Sequence, residues 1–187
     1  AMDADPYGYY GIRASELLDG KEPFAEDGHY KLKIDLDDER VLAADWLKYA
    51  FSLPPDINTD YSSALADDPR YTRGMEYNRL GLFDKANSEF ESLRLENVED
   101  PLNTFRLMKL FLDNYYYKSA IECARSIRQM AGYGDTSVAR ILPPYFAYVE
   151  YGAYYLPWIE AKAEKYKLSP LVLLSVIHQE SRFGTQA

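Results

Sequence analysis

A single cysteine, Cys123, leaves no partner for an intrachain disulfide, so non-covalent packing must hold the fold. The two histidines, His29 and His178, stand far apart and form with Cys123 no spacing that would ligate a metal. Dense Lys/Arg runs are missing and the formal net charge is -9, which excludes a nucleic-acid partner, because phosphates need neutralising cations. No apolar run reaches transmembrane length, and no signal-peptide pattern opens the chain.

What is present is enough for one or two packed domains: 187 residues, 47% of them apolar. Tyrosine is abundant, with 18 residues. Aromatic faces stack on sugar rings, and they also fill the cores between packed helices; the second use accounts for most of these tyrosines.

The punctuation along the chain is helical. Asp5-Pro6 reads as a cap and first-turn proline, with Tyr9 to Leu18 as the helix and Gly20 as its stop. Residues 21–36 read as a loop with a short extended piece at Tyr30–Ile34. A second helix starts at Asp37 or Asp38 and ends before Leu53-Pro54-Pro55; residues 54–62 read as surface loop. Further helices are expected over Pro69–Leu80, Asp84–Leu95, Leu102–Leu112 and Tyr117–Ala131, then Tyr145–Tyr155 as helix or irregular chain, and Pro157–Tyr166. Gly81-Leu82-Phe83-Asp84-Lys85-Ala86 matches Tyr115-Tyr116-Tyr117-Lys118-Ser119-Ala120 at a spacing of 34 residues, the period of tetratricopeptide helix pairs. Ala86 and Ala120 should sit buried where paired helices cross.

The last eighteen residues carry the chemistry. Ser169 is a good N-cap and Pro170 suits the first helical position. Leu173, Val176, Ile177 and Glu180 recur at i, i+3, i+4 and i+7, one helix face, which places the Glu180 carboxylate on an apolar stripe near the negative end of the helix dipole. Burial and dipole would both raise its pKa, as a general acid for a glycosidic bond requires. The plain alternative is a solvated Glu180, or one paired with Arg182.

Pro170 to Phe183, with Gln179 before the Glu180-Ser181 pair and Arg182-Phe183 after it, resembles the opening of the catalytic domain of the soluble lytic transglycosylases. Asp5-Pro6-Tyr7-Gly8-Tyr9-Tyr10-Gly11, Asp68-Pro69-Arg70-Tyr71 and Leu80-Gly81-Leu82-Phe83 are similar to segments of the helical superhelix that precedes that domain. The family's following Gly-Leu-Met-Gln segment does not occur here. The resemblance implies an all-α chain: a tetratricopeptide-like superhelix over residues 1–143, then over 144–187 a linker and the start of a lysozyme-like domain.

It further implies cleavage of peptidoglycan glycan strands in the cell envelope, periplasmic or extracellular. Glu180 would be the catalytic residue, acid then base, with Ser181 in support and no cofactor or metal. Ordinary glycosidases use two carboxylates; this family forms a 1,6-anhydromuramyl product with one. The chain by itself is expected to be inactive, because groove-forming segments are not among its residues. The rival readings are a non-catalytic helical scaffold binding a protein or glycan on its concave face, and a lysozyme-like hydrolase with a second acidic residue elsewhere.

Overall fold

The computed structural model describes residues 9–22, 31–133 and 142–184. The Asp5-Pro6 cap, loop residues 23–30 with His29 and Tyr30, and the tail beyond Gly184 lie outside the described residues. Every regular element described is an α-helix. In chain order they are α1 (Tyr9–Leu18), α2 (Leu36–Ala50), α3 (Ser63–Ala66), α4 (Pro69–Arg79), α5 (Phe83–Glu96), α6 (Pro101–Asp113), α7 (Tyr117–Met130), α8 (Pro144–Glu150), α9 (Leu156–Tyr166) and α10 (Pro170–Ser181).

Helices α2, α3, α4, α6 and α10 begin where short polar side chains satisfy the first free N–H groups. The Asp68 carboxylate accepts from Arg70 N at 2.8 Å ahead of Pro69, and Asp100 accepts from Leu102 N and Asn103 N at 3.0 and 2.9 Å ahead of Pro101. Asp35 does the same for α2, accepting from Asp37 N at 3.0 Å. The helix therefore starts at Leu36, slightly before the expected Asp37. Such a cap contributes about 1 kcal/mol.

Helices α4 and α5, and then α6 and α7, pack as two hairpins. Their turns are the same structure 34 residues apart. Leu82 N donates to Tyr77 O at 2.9 Å, and Tyr116 N donates to Phe111 O at 2.8 Å. Leu82 and Tyr116 share backbone angles (φ -87°, ψ 61° and φ -86°, ψ 63°). The residues before them, Gly81 (φ 71°) and Tyr115 (φ 65°), are both left-handed. Ala86 and Ala120 are fully buried, as the spacing predicts. The two hairpins are tied side by side through Asn78 Nδ2, which donates to Asn114 Oδ1 at 3.1 Å, and the Tyr116 hydroxyl, which donates to Asn78 Oδ1 at 3.0 Å.

One core runs beneath α2 and α4 to α8 and is dominated by Leu47, Phe90, Phe105, Phe111, Tyr145 and Phe146. Helix α8 enters it against α2 and α7. Arg40 reaches into this core, lying 4.0 Å over the Phe105 ring, and donates to Tyr145 Oη at 3.2 Å and Thr59 O at 3.1 Å. A second cluster gathers Ile121 of α7, Tyr154, Ile159 of α9, Leu174 of α10 and Phe183. No helix among the described residues is long and apolar enough to cross a membrane.

Candidate functional site

Helix α10 is capped as its sequence predicts: Ser169 Oγ accepts from Leu171 N at 3.2 Å, and Pro170 opens the first turn. Its end is unusual. Arg182 (φ 50°) and Phe183 (φ 59°) are consecutive left-handed residues, each costing about 1–2 kcal/mol outside glycine. Two contacts hold this exit. The Phe183 ring is 3% exposed in the second cluster, and such burial stabilises by about 1.5–3 kcal/mol. Arg182 Nη1 pairs with Glu122 Oε1 on α7 at 2.9 Å, so of the two plain alternatives for Glu180 the Arg182 pair is not formed. Behind α10, His178 Nε2 lies 3.0 Å from Glu150 O, and Glu150 is itself buried against Arg128 at 3.1 Å.

The buried stripe of α10 is only partly the expected one. Leu174 is buried, with Leu171, Leu173, Ile177, His178 and Ser181 half-buried, so Leu173 and Ile177 of the expected stripe do pack inward, whereas Val172, Val176 and Glu180 form an open i, i+4, i+8 row. The buried face is thus displaced by one residue, about 100° around the helix. The reason is composition: this helix is apolar on nearly all sides, so periodicity did not choose a face, and the contacts with α9 and α7 did. Glu180 faces outward rather than into the core.

Outward here means into a cleft lined by α10 and the two hairpins. It holds about 660 Å³, within the roughly 300–1,000 Å³ of ligand clefts. Glu180, Ser181 and Gly184 form one wall. Residues 113–119, from the end of α6 into the start of α7, and Asn78, Phe83 and Asn87 of the first hairpin complete the lining with Tyr155. Tyr117 is anchored by stacking on Tyr154 (4.0 Å between centroids, 17° between planes) and takes the edge of Tyr155 at 5.1 Å. Burial pushes the Tyr116, Tyr117 and Tyr155 phenols up, so they stay neutral donors at neutral pH.

Among the described residues, two carboxylates line the cleft. Asp113 pairs with Lys109 Nζ at 3.0 Å. Glu180 makes no hydrogen bond or ion pair with any described residue, so its oxygens are available to a ligand. The Ser181 hydroxyl donates to Ile177 O at 3.1 Å and does not touch Glu180; its lone pairs remain free to accept. Among the described residues no cluster of His, Cys, Asp or Glu could hold a metal ion.

Glu180 and Ser181, singled out in the sequence, both line this cleft; Phe83, Asn87, Tyr115 and Lys118 line it without having been singled out. The available signal was the repeat itself, in which Tyr115 occupies the position that Gly81 takes in the first hairpin. No family model, no curated protein and no solved structure matches the chain.

Proposed function

We propose that Glu180 is the single acid/base of a peptidoglycan lytic transglycosylase, and that this chain supplies its helical superhelix and the first helices of its lysozyme-like catalytic domain. The supporting observation is the carboxylate inventory of the cleft: Glu180 is unengaged, while Asp113 is tied to Lys109. A two-carboxylate hydrolysis asks for a second free acid; a one-carboxylate reaction does not.

In the reaction, Glu180 donates its proton to the glycosidic oxygen between N-acetylmuramic acid and N-acetylglucosamine as the C1–O bond breaks. The resulting carboxylate takes the proton of the muramyl C6 hydroxyl while O6 bonds to C1. Glu180 ends protonated, no water is consumed, and the products are a 1,6-anhydromuramyl end and a free N-acetylglucosamine end. Ser181, with its proton committed to Ile177 O, serves as an acceptor for a sugar hydroxyl. The substrate places the working protein in the cell envelope. The sugar-binding segments that this family uses to close its groove are not among these 187 residues, so the chain alone is expected to leave a cell-wall suspension turbid.

The test is mass spectrometry of muropeptides released by the parent protein and its Glu180→Gln and Ser181→Ala variants. The Gln variant should lose anhydro products by at least the roughly 100- to 10,000-fold typical of general-acid removal. Ser181→Ala should cost less, in line with a hydrogen bond of about 0.5–1.5 kcal/mol. Release of anhydro ends by Glu180→Gln at the wild-type rate refutes the assignment. The second reading, a non-catalytic helical scaffold, is favoured by the outward position of Glu180 on α10. It predicts glycan or protein binding with no product in any variant.

A further inference from the structure

Among the described residues, every arginine but Arg106 of α6 stands in an ion pair with an aspartate or glutamate. The Arg106 guanidinium serves neutral oxygens instead. Nε and Nη2 both donate to Asn58 O, Nε at 3.1 Å, and Nη1 donates to Asn103 Oδ1 at 2.9 Å. Holding two neutral oxygens needs donors but no charge, and part of the five-donor fork is left over. Burial pushes the Arg106 pKa down, the mark of a partly desolvated cation. On a protein of net charge -9, an unmatched cation of this kind calls for an anion.

Arg106 lines a second cavity, formed by the 60–62 loop with α3, α4 and α6. Among the described residues it shares only Asp113 with the Glu180 cleft. It holds about 150 Å³, the volume of a cavity that accepts a benzene-sized solute. Leu65, Leu107 and Leu110 give it an apolar surface. The Tyr71 hydroxyl on it makes no hydrogen bond with a described residue. Ser62 Oγ accepts from Leu65 N at 3.4 Å and keeps its proton to donate. The other charges in the lining are already matched: Asp60 by Arg40 at 3.0 Å, and Lys109 by Asp113 at 3.0 Å.

One unmatched cation, two hydroxyl donors and a leucine surface select a small solute with a single carboxylate and a short aliphatic chain. A phosphate dianion would meet one free cation beside two carboxylates. We propose that this cavity binds a short aliphatic monocarboxylate, as a free acid or as the terminal residue of a peptide chain. Arg106, Tyr71 and Ser62 hold the carboxylate, and the leucines cover the hydrocarbon. The site stands apart from the Glu180 reading and does not depend on it.

The experiment is nuclear magnetic resonance titration of the 187-residue chain at neutral pH and low ionic strength, following the amides of residues 60–66 and 106–113. The probes are acetate, isobutyrate and the neutral isostere isobutyramide. Isobutyrate should bind with a Kd on the order of 1 mM. Acetate should bind roughly tenfold more weakly, since each buried carbon is worth about fourfold. Isobutyramide should also lose about tenfold or more, the scale of a hydrogen bond to a charged group. Arg106→Gln should cost isobutyrate about tenfold or more, and Tyr71→Phe about threefold. Arg106 also holds Asn58, so the urea midpoint of Arg106→Gln is measured alongside, while the comparison of isobutyrate with isobutyramide needs no variant. Acetyl-glycyl-leucine separates the two sources: tighter binding than isobutyrate makes the ligand a chain terminus, and weaker binding makes it a free acid. Equal affinity for isobutyrate and isobutyramide overturns the proposal. So do inorganic phosphate binding as tightly as isobutyrate, unchanged isobutyrate affinity in a folded Arg106→Gln variant, or no saturable shift with any carboxylate probe.

Discussion

Gly74 is where the first hairpin is most sensitive. It is buried near the middle of α4, and a Cβ built there would lie 2.8 Å from Phe90 Cδ1 and 3.0 Å from Cζ, with Cε1 closer still. In a free helix, Gly→Ala gains about 0.8–1.0 kcal/mol. Here the Phe90 ring cannot step aside. It is fully buried and takes the edges of Phe111 at 5.9 Å and Tyr116 at 5.1 Å. Overpacking of this kind costs about 1–3 kcal/mol, and an overlap under 3 Å belongs in the upper half of that range. Gly74→Ala should therefore destabilise by about 1–2 kcal/mol net.

Phe90→Leu shortens the obstructing side chain. In that background the steric cost disappears and the helical gain remains, so Gly74→Ala should become stabilising by up to about 1 kcal/mol. The sign reversal gives a coupling of about 2–3 kcal/mol, measurable as urea midpoints at unchanged m for the four proteins. If Gly74→Ala raises the midpoint with Phe90 intact, the close crossing of α4 and α5 is wrong. The consequence reaches the site, because Tyr116, which packs on Phe90, also holds Asn78 in the cleft wall.

Two further outcomes are expected. Phe183→Ala should cost about 3–5 kcal/mol in thermal or urea unfolding and expose Glu180 amides to faster hydrogen exchange, since the ring is what holds the left-handed exit of α10; unchanged exchange at residues 178–184 would contradict this. Hydrogen bonding from Arg70 holds the Asp68 carboxyl below its ordinary value of 3.8, and Arg73 does the same for Glu89 against 4.5. Because the folded values are depressed, their stabilisation is complete above the ordinary values and is lost as pH falls through the folded ones. Stability should therefore drop on acidification below about pH 4, and the Asp68→Asn, Glu89→Gln double variant, which keeps an Asn N-cap, should show a shallower drop.

The helical framework was legible because its signals are local. An aspartate or serine before a proline places a donor-satisfying oxygen at the start of α4, α6 and α10, and each of these helices begins there. The 34-residue spacing was legible because a close helix crossing needs a small residue at a fixed place, and both Ala86 and Ala120 occupy it. The four-residue α3 was not foreseen, being too short to show a period. The orientation of α10 was partly misread for a different reason. A helix with Leu, Val or Ile at 171, 172, 173, 174, 176 and 177 has no unique apolar face, so its burial is decided by tertiary contacts that local spacing does not contain.

The cleft itself follows from the repeat more than from the motif at residues 180–181. Hairpins of similar length with identical turns bring those turns to one edge, and the Asn78–Asn114 bond keeps them adjacent. That edge would be an ordinary polar rim if both turns carried glycine. It differs because Tyr115 stands in the left-handed position, with Tyr116 and Tyr117 continuing into α7. The end of α10 arrives there through Arg182 and Phe183, both held in the same backbone region by contacts to α7 and the second cluster. Three left-handed residues, Tyr115, Arg182 and Phe183, thus stand where the chain lines this cleft or leads away from Glu180. Each is unfavourable in isolation by about 1–2 kcal/mol. Relaxing Arg182 and Phe183 would carry Glu180 away from the cleft, whereas relaxing Tyr115 would leave Glu180 in place and remove only the ring. The first pair therefore governs where the carboxylate stands, and the third governs which ring shares its cleft.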